Sequence, residues 1–138
     1  MLFWNKKKHL ETNSMDNGVN LITVSLPKSV NTEQFNTIRT NIEFSSIDKE
    51  RKSLMFTSSM ASEGKSTVAA NTAVAFARQG KKVLLVDADL RRPTINATFN
   101  IQNPVGLTNF LTEKNLNIND AIYRTSIKNL YVMPSGPI

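Results

Sequence analysis

The chain has 138 residues, a formal net charge of +6 at pH 7 and no cysteine. This length suits one small domain, and the lack of cysteine excludes disulfides and thiolate metal sites. No apolar run approaches the length of a transmembrane helix. The few aromatic residues form no repeating pattern with basic residues, so we expect no nucleic-acid partner.

Residues 1–28 are predicted to form a polar tail with one short strand at residues 21–24, and residues 29–138 to form the domain itself. The apolar residues 1–4 precede a basic run at residues 6–9, a pattern that suits either an anionic membrane surface or a disordered tail. Residues 33–42 show an apolar stripe typical of a helix, with Asn31 or Thr32 as its N-cap.

The apolar residues 54–56 predict a strand, and residues 68–79 have the apolar spacing of a helix. Ala69, Ala73, Phe76 and Ala77 would face the sheet, while Thr72 would lie off that face. Between strand and helix lies a loop of small residues that ends in a Gly-Lys-Ser-Thr run. A strand, such a loop and a helix are the context of a phosphate-binding loop, and the alternative is a glycine turn that merely starts a helix.

A phosphate-binding loop holds a triphosphate such as ATP through its backbone N–H groups and the positive N-terminal end of the following helix. Lys65 would reach the β- and γ-phosphates, and the Ser66 hydroxyl would ligate Mg²⁺. The residues predicted to bind the nucleotide are Ser59, Met60, Ala61, Ser62, Glu63, Gly64, Lys65, Ser66, Thr67 and Arg91.

Residues 83–86 form an apolar run after Gly80 and predict a buried parallel strand, with Asp87 and Asp89 at its carboxyl end. Ligands bind at that edge of an open α/β sheet, and paired carboxylates suit Mg²⁺. The predicted metal ligands are therefore Ser66, Asp87 and Asp89, and the predicted catalytic residues are Lys65, Asp87 and Asp89. The alternative is that the two aspartates only end the strand and cap a helix.

Arg91 and Arg92 follow these aspartates and would either contact phosphate, lock the aspartates in place or remain rim charges. Farther along, residues 94–99, 106–111 and 119–123 predict short helices, and residues 130–133 predict a further core strand.

Residues 58–67 and 83–93 together resemble the Walker A and Walker A′ motifs of the bacterial tyrosine kinases (BY-kinases) of capsular and exopolysaccharide synthesis. These kinases belong to the class that includes the MinD/ParA ATPases. The signature lysine of that class would fall at Met60, and its absence is typical of the tyrosine kinase branch. The resemblance implies an α/β P-loop NTPase fold with a doubly wound parallel sheet, and an ATP- and Mg²⁺-dependent protein-tyrosine autokinase. The alternatives are a MinD/ParA-type ATPase switch and a non-catalytic ATP-binding module.

The resemblance also implies partners. Glu33 and Arg39 match the family's E-x-x-R-x-x-R helix, which builds a homo-oligomer, whereas Asn36 departs from it; the alternative is a helix packed on its own domain. A membrane adaptor, the polysaccharide co-polymerase, would recruit this cytoplasmic chain to the inner face of the cell membrane through its cytoplasmic tail. The family's Walker B strand and tyrosine cluster are missing, so we expect a fragment or a truncated product without the C-terminal strands.

Overall fold

The computed structural model describes residues 18–45, 53–57, 64–102 and 104–137. Most of the predicted polar tail, at residues 1–17, lies outside these ranges. The elements, in chain order, are α1 (Ile22–Ser25), α2 (Val30–Phe44), α3 (Lys65–Arg78), β1 (Val83–Val86), α4 (Ile95–Thr98), α5 (Leu107–Thr112), a 3₁₀ helix (Ile118–Ala121), β2 (Tyr123–Arg124) and β3 (Leu130–Met133).

The sheet in the described part of the chain has three strands in the order β1-β3-β2. β1 and β3 are parallel, with Val83 opposite Leu130, which confirms both predicted strands. The predicted burial of β1 was wrong at Leu84 and Val86, which are exposed because no described strand pairs with the outer edge of β1. β2 runs antiparallel to β3. The prediction of a helix over residues 119–123 was therefore wrong at its last two residues, because the 3₁₀ helix ends at Ala121 and β2 starts at Tyr123. Tyr123 is buried in β2, where its hydroxyl accepts a hydrogen bond from the Val105 N–H at 3.1 Å.

Helix α3 packs between the sheet and the helices α1 and α2. Ala73 and Ala77 are buried as predicted, whereas Ala69 and Phe76 are only partly buried. Thr72, predicted to lie off the packed face, is 1% exposed. The difference arises because neighbours cover α3 on more than one side, so a single apolar stripe does not describe its burial.

The prediction of a strand at residues 21–24 was wrong, because the chain forms α1 there. Thr23 donates its backbone N–H and its hydroxyl to the Asn71 side chain of α3, and this long-range contact outweighs the local preference of apolar and β-branched residues for a strand.

Residues 54–56 also do not form the predicted strand, and Met55 is 86% exposed. A strand needs a neighbour to satisfy its N–H and C=O groups, and the described residues place none beside this segment.

Helix α2 begins at Val30, earlier than predicted, and its N-cap is Ser29 rather than Asn31 or Thr32. The Ser29 hydroxyl accepts a hydrogen bond from the Thr32 N–H at 3.1 Å, which satisfies one free donor of the first turn. Within the described ranges, no helix is long and apolar enough to cross a membrane.

Gly106 lies where the start of α5 crosses the segment after β3, and this crossing leaves no room for a side chain. A Cβ at Gly106 would overlap the Pro134 carbonyl oxygen and lie 2.6 Å from the Gly136 nitrogen. We expect Gly106→Ala to lower the free energy of unfolding by about 2 kcal/mol or more, since backbone atoms must shift to admit the methyl group. Denaturant unfolding measures this loss.

Gly80→Ala is the matched control for this prediction. Gly80 has a φ of +92°, but no atom lies within 4 Å of the place that a Cβ would take, so the substitution adds backbone strain without a clash. Its expected cost is about 1 kcal/mol. A smaller loss for Gly106→Ala than for Gly80→Ala would contradict the steric argument.

Candidate functional site

The first turn of α3 starts at Lys65, directly after Gly64. Gly64 has a φ of +76° and a ψ of 9°, a left-handed conformation that favours glycine. Its carbonyl accepts the Val68 N–H at 2.9 Å, which starts the helix, and no side chain caps the N-terminus. The backbone N–H groups of the first turn, including those of Ser66 and Thr67, are thus not hydrogen-bonded by a capping side chain. An anion site at a helix N-terminus requires such free N–H groups.

Asp87 lies at the carboxyl end of β1, where its N–H continues the ladder by donating to the Met133 carbonyl at 2.9 Å. Its side chain is 6% exposed. One carboxylate oxygen accepts the backbone N–H groups of Thr94 at 2.8 Å and Ile95 at 3.1 Å, and the other accepts the Asp89 N–H at 3.1 Å. Asp87 therefore holds the loop from β1 to α4 in place.

Asp89 brings the end of β1 to the start of α3. Its Oδ2 lies 3.4 Å from the Lys65 Nζ, and both side chains are partly exposed. Its Oδ1 accepts the backbone N–H groups of Arg91 at 3.2 Å and Arg92 at 3.0 Å. These two backbone N–H groups hold the carboxylate beside the Lys65 ammonium.

These contacts lower the pKa of Asp89. The Arg92 N–H is the largest cause, the Lys65 charge and the Arg91 N–H add to it, and partial burial opposes it. A carboxyl with a lowered pKa in the folded state stabilises the fold above its unfolded pKa of about 4, and this contribution is lost as the pH falls through the folded pKa.

We therefore expect the difference in unfolding free energy between the wild type and Asp89→Asn to be largest near neutral pH. It should shrink as the pH is lowered from about 4, because protonation then removes the advantage of the wild type. Urea unfolding at a series of pH values measures the difference. A difference that stays constant down to pH 2 would contradict the role of the ionised carboxylate.

The structure brings Lys65 and Asp89, which lie 24 residues apart in sequence, into contact; Gly64 precedes Lys65 directly, and Asp87 lies two residues before Asp89. The predicted loop residues Ser59, Met60, Ala61, Ser62 and Glu63 lie outside the described residues. In the described part of the chain, no group of three or more His, Cys, Asp or Glu residues is arranged to hold a metal ion. A cation at this site would need ligands besides the two carboxylates.

Sequence analysis did not indicate a role at this site for two residues, Asn71 and Thr23. Asn71 is fully buried in α3, four residues after Thr67, and its side-chain amide bonds both the Thr67 carbonyl and α1. A polar residue inside a predicted helix reads as a surface position, so only a long-range contact could have identified it.

Comparison with known proteins identifies the family of the chain. The family described as the AAA domain matches residues 51–137 of the chain. The chain belongs to the AAA-domain family. This match covers the start of α3, β1 and the two aspartates, so the geometry described above lies within the part of the chain that defines the family.

Among the relatives of this AAA domain are several bacterial tyrosine kinases, which confirms the resemblance. The chain is 55% identical over 119 residues to the tyrosine-protein kinase YwqD of Bacillus subtilis, a match that covers 86% of the chain and 50% of the relative. It is 42% identical over 111 residues to the putative tyrosine-protein kinase CapB of Staphylococcus aureus, covering 80% of the chain and 48% of the relative. The chain thus spans about half the length of these relatives.

Solved structures agree with the P-loop NTPase fold. The chimerical protein CapA2B2 superposes with a TM-score of 0.79 at 42% identity, covering 88% of this chain and 55% of that one. The kinase domain of the Escherichia coli tyrosine kinase ETK superposes with the same TM-score of 0.79 at 29% identity, covering 86% of this chain and 46% of the other. The AAA domain described here is therefore an α/β fold of the kind that these tyrosine kinases share.

Proposed function

We propose that this chain forms the nucleotide-binding part of an ATP-dependent protein-tyrosine kinase that regulates capsular or exopolysaccharide synthesis. The observation that carries the proposal is the 3.4 Å contact between the Lys65 ammonium in the first turn of α3 and the Asp89 carboxylate beyond β1. This contact joins a cation and a carboxylate at the helix N-terminus, where a triphosphate would bind. The kinship with proteins named tyrosine-protein kinases supports the choice of reaction.

The residues at the start of α3 would hold the phosphates. The N-cap Gly64 has no side chain, so no side-chain cap blocks the N–H groups of the first turn. Lys65 would exchange its contact with Asp89 for the β- and γ-phosphate oxygens, to which it can make stronger charge-assisted hydrogen bonds. Charge neutralisation of this kind is the main contribution of a protein to phosphoryl transfer.

The residues of this site can bind Mg²⁺ only when the nucleotide phosphates supply further ligands. Three backbone N–H groups already occupy Asp87, and two occupy Asp89 besides its contact with Lys65. Mg²⁺ usually keeps several waters and binds through one or two carboxylates and substrate phosphates, which matches this partial availability. Ser66, Asp87 and Asp89 would hold it, and when bound it would neutralise charge on the phosphate oxygens.

The transfer forms a bond between the tyrosine oxygen and the γ-phosphorus. It breaks the bond between the γ-phosphorus and the oxygen that bridges to the β-phosphate, and ADP leaves with that oxygen. The phenolic proton must pass to a base. Asp89 suits this role better than Asp87, because its carboxylate is a quarter exposed while Asp87 is buried and engaged by the backbone. We assign the proton to Oδ2 of Asp89, which is released when Lys65 moves to the phosphates.

Calorimetric titration of the chain with ATP, with and without Mg²⁺, tests the proposal. Binding with a dissociation constant on the order of micromolar is expected, and Mg²⁺ should strengthen it. Phosphotransfer from radiolabelled ATP to a supplied tyrosine peptide is then the second readout. Binding without transfer would favour the non-catalytic module, and release of phosphate without peptide would favour an ATPase switch.

The partners belong to the same proposal. A polysaccharide co-polymerase with a cytoplasmic tail would bring the chain from the cytoplasm to the inner face of the cell membrane. Self-association would use α2, where Glu33 is exposed and the Arg39 side chain is 14% exposed. In the single chain Arg39 pairs with Glu43 one turn farther along the same helix, so an ion pair with a second copy would replace an internal pair.

We expect Glu33→Ala to weaken self-association of the chain by about fivefold or more, because an ion pair at the interface loses its acidic partner. Sedimentation velocity over a range of protein concentrations measures the dissociation constant. The control is Glu43→Ala, which breaks only the pair within α2. Equal effects of the two substitutions would contradict a role for Glu33 between copies.

A further inference from the structure

The Asn71 side chain is the centre of a buried hydrogen-bond network that joins α3 to the chain before it. Its Oδ1 accepts the Thr23 N–H at 3.1 Å and the Thr23 hydroxyl at 2.8 Å. Its Nδ2 donates to the carbonyls of Asn20 at 2.9 Å and Thr67 at 2.8 Å. An asparagine amide offers two acceptor sites and two donors, and here all four are used.

This pattern also fixes which way the amide points. Exchanging Oδ1 and Nδ2 would turn two donors toward the Thr23 N–H and leave an acceptor facing the carbonyls of Asn20 and Thr67. Only one orientation satisfies the neighbours, so the side chain has a single low-energy arrangement.

If packing alone mattered, an apolar residue would be more stable than Asn71 at this buried helix position. Asparagine lowers helix propensity relative to leucine, and a buried amide is costly unless it is fully hydrogen-bonded. At 0% exposure the side chain could be replaced by an apolar one if packing were its only role. Its four bonds instead connect two places, the carbonyl of Thr67 in the first turn of α3 and the segment from Asn20 to Thr23.

The first turn of α3 needs such support. No side chain caps it, because its N-cap is Gly64, and helix ends fray when tertiary contacts do not hold them. Thr67 is the third residue of this turn and follows Lys65 and Ser66 directly. A second bond to the Thr67 carbonyl therefore acts on the backbone that presents the Lys65 ammonium.

The segment before α2 is in turn held at several points. The Arg78 guanidinium donates to the Thr23 carbonyl at 2.6 Å, from the last turn of α3. The Thr32 hydroxyl donates to the Leu26 carbonyl at 2.6 Å, from the first turn of α2. Thr23, which is 2% exposed, is thus a fixed support for Asn71 and not a mobile neighbour.

We propose that Asn71, held by Thr23, is a positioning residue of the nucleotide site: it fixes the first turn of α3 and so the Lys65 ammonium, without touching the nucleotide. The inference rests on the proposed function for its effect on ATP. Its structural part, the fixing of the first turn, holds for the free chain.

The test compares Thr23→Val, which removes the hydroxyl donor but keeps the shape and the backbone N–H, with Thr23→Ser, which keeps the hydroxyl. The matched control is Thr125→Val. Thr125 is also buried and its hydroxyl is also hydrogen-bonded, to the Leu130 carbonyl at 2.8 Å, but it lies at the turn between β2 and β3. Asn71→Leu, in which the whole network is lost, serves as the background for a double-mutant cycle.

Two readouts are needed. The first is hydrogen exchange of the amides of residues 68–71 in the free chain. We expect Thr23→Val to speed this exchange about three- to tenfold, the range for one lost hydrogen bond, while Thr23→Ser stays within about twofold of the wild type. The second is calorimetric ATP affinity, which should fall by a similar factor in Thr23→Val and recover in Thr23→Ser. In the Asn71→Leu background, Thr23→Val should have no further effect on either readout.

The outcomes separate the two proposals. If the wild type binds no ATP, the proposed function fails, and the exchange data alone decide whether Asn71 and Thr23 fix the first turn. If Thr23→Val behaves like Thr125→Val in the exchange readout, Asn71 is an ordinary core contact and the inference is overturned. Faster exchange in Thr23→Val with unchanged ATP affinity, in a wild type that binds ATP, overturns the positioning role as well.

Discussion

Lys65→Met is expected to lower the affinity of the chain for ATP by about 100-fold, the largest loss that we anticipate for one substitution at this site. A charge-assisted hydrogen bond contributes about 1.5–3 kcal/mol, and Lys65 would make such bonds to the β- and γ-phosphates. Methionine keeps a similar length and a similar helix propensity, so α3 should still begin at residue 65.

The loss has a second physical cause. Lys65 stands 3.4 Å from Asp89, and without its ammonium the Asp89 carboxylate would face the phosphates with no compensating charge. Calorimetric titration with ATP in the presence of Mg²⁺ measures the change. Lys128→Met removes an exposed positive charge in the turn before β3 and should leave the affinity within about twofold. An affinity of Lys65→Met close to that of the wild type would show that the ammonium does not contact the phosphates.

Asp87→Ala is expected to have the largest effect on stability, a loss of about 3–5 kcal/mol in the free energy of unfolding. The substitution leaves three backbone N–H groups, those of Asp89, Thr94 and Ile95, without their carboxylate acceptor. Buried donors without a partner cost about 1–3 kcal/mol each, and the terms are not fully additive. The melting temperature should fall by roughly 10–20 °C.

Denaturant unfolding with a circular dichroism signal tests this expectation. Asp120→Ala is the control, because Asp120 is exposed in the 3₁₀ helix and its loss should change stability by less than about 0.5 kcal/mol. The loss of unfolding free energy for Asp87→Asn should lie between those for Asp87→Ala and Asp120→Ala, since the amide retains one oxygen acceptor. Equal unfolding midpoints for Asp87→Ala and the wild type would mean that the loop after β1 does not depend on the carboxylate.

Sequence reasoning was most reliable where several apolar residues follow one another in the chain. The apolar runs at β1 and β3 predicted these strands at their observed bounds, because short runs of apolar and β-branched residues favour a strand. Of the two, only β3 is largely buried, whereas Leu84 and Val86 of β1 are exposed. The glycine at residue 80 also marked the end of α3, where its φ of +92° and its bond to the Ala77 carbonyl close the helix.

Contacts between distant parts of the chain account for the failures. The segment at Thr23 has the composition of a strand, yet its partner is an amide 48 residues away that no local pattern reveals. The same contact hides the importance of Asn71, which looks like a solvent-facing residue in a helical repeat. Asp87 shows the limit for the site. Its position after a strand indicated a metal ligand, but two of its three backbone partners depend on how the chain returns at Thr94.

The outer edge of β1 affects how the protein behaves at high concentration. β1 is an end strand of the three-stranded sheet, and Leu84 and Val86 on it are 42% and 41% exposed. In the described part of the chain, no strand pairs with that edge. An apolar strand with a free row of N–H and C=O groups is a template for further strands. Purification at low concentration should therefore keep the protein out of intermolecular sheets.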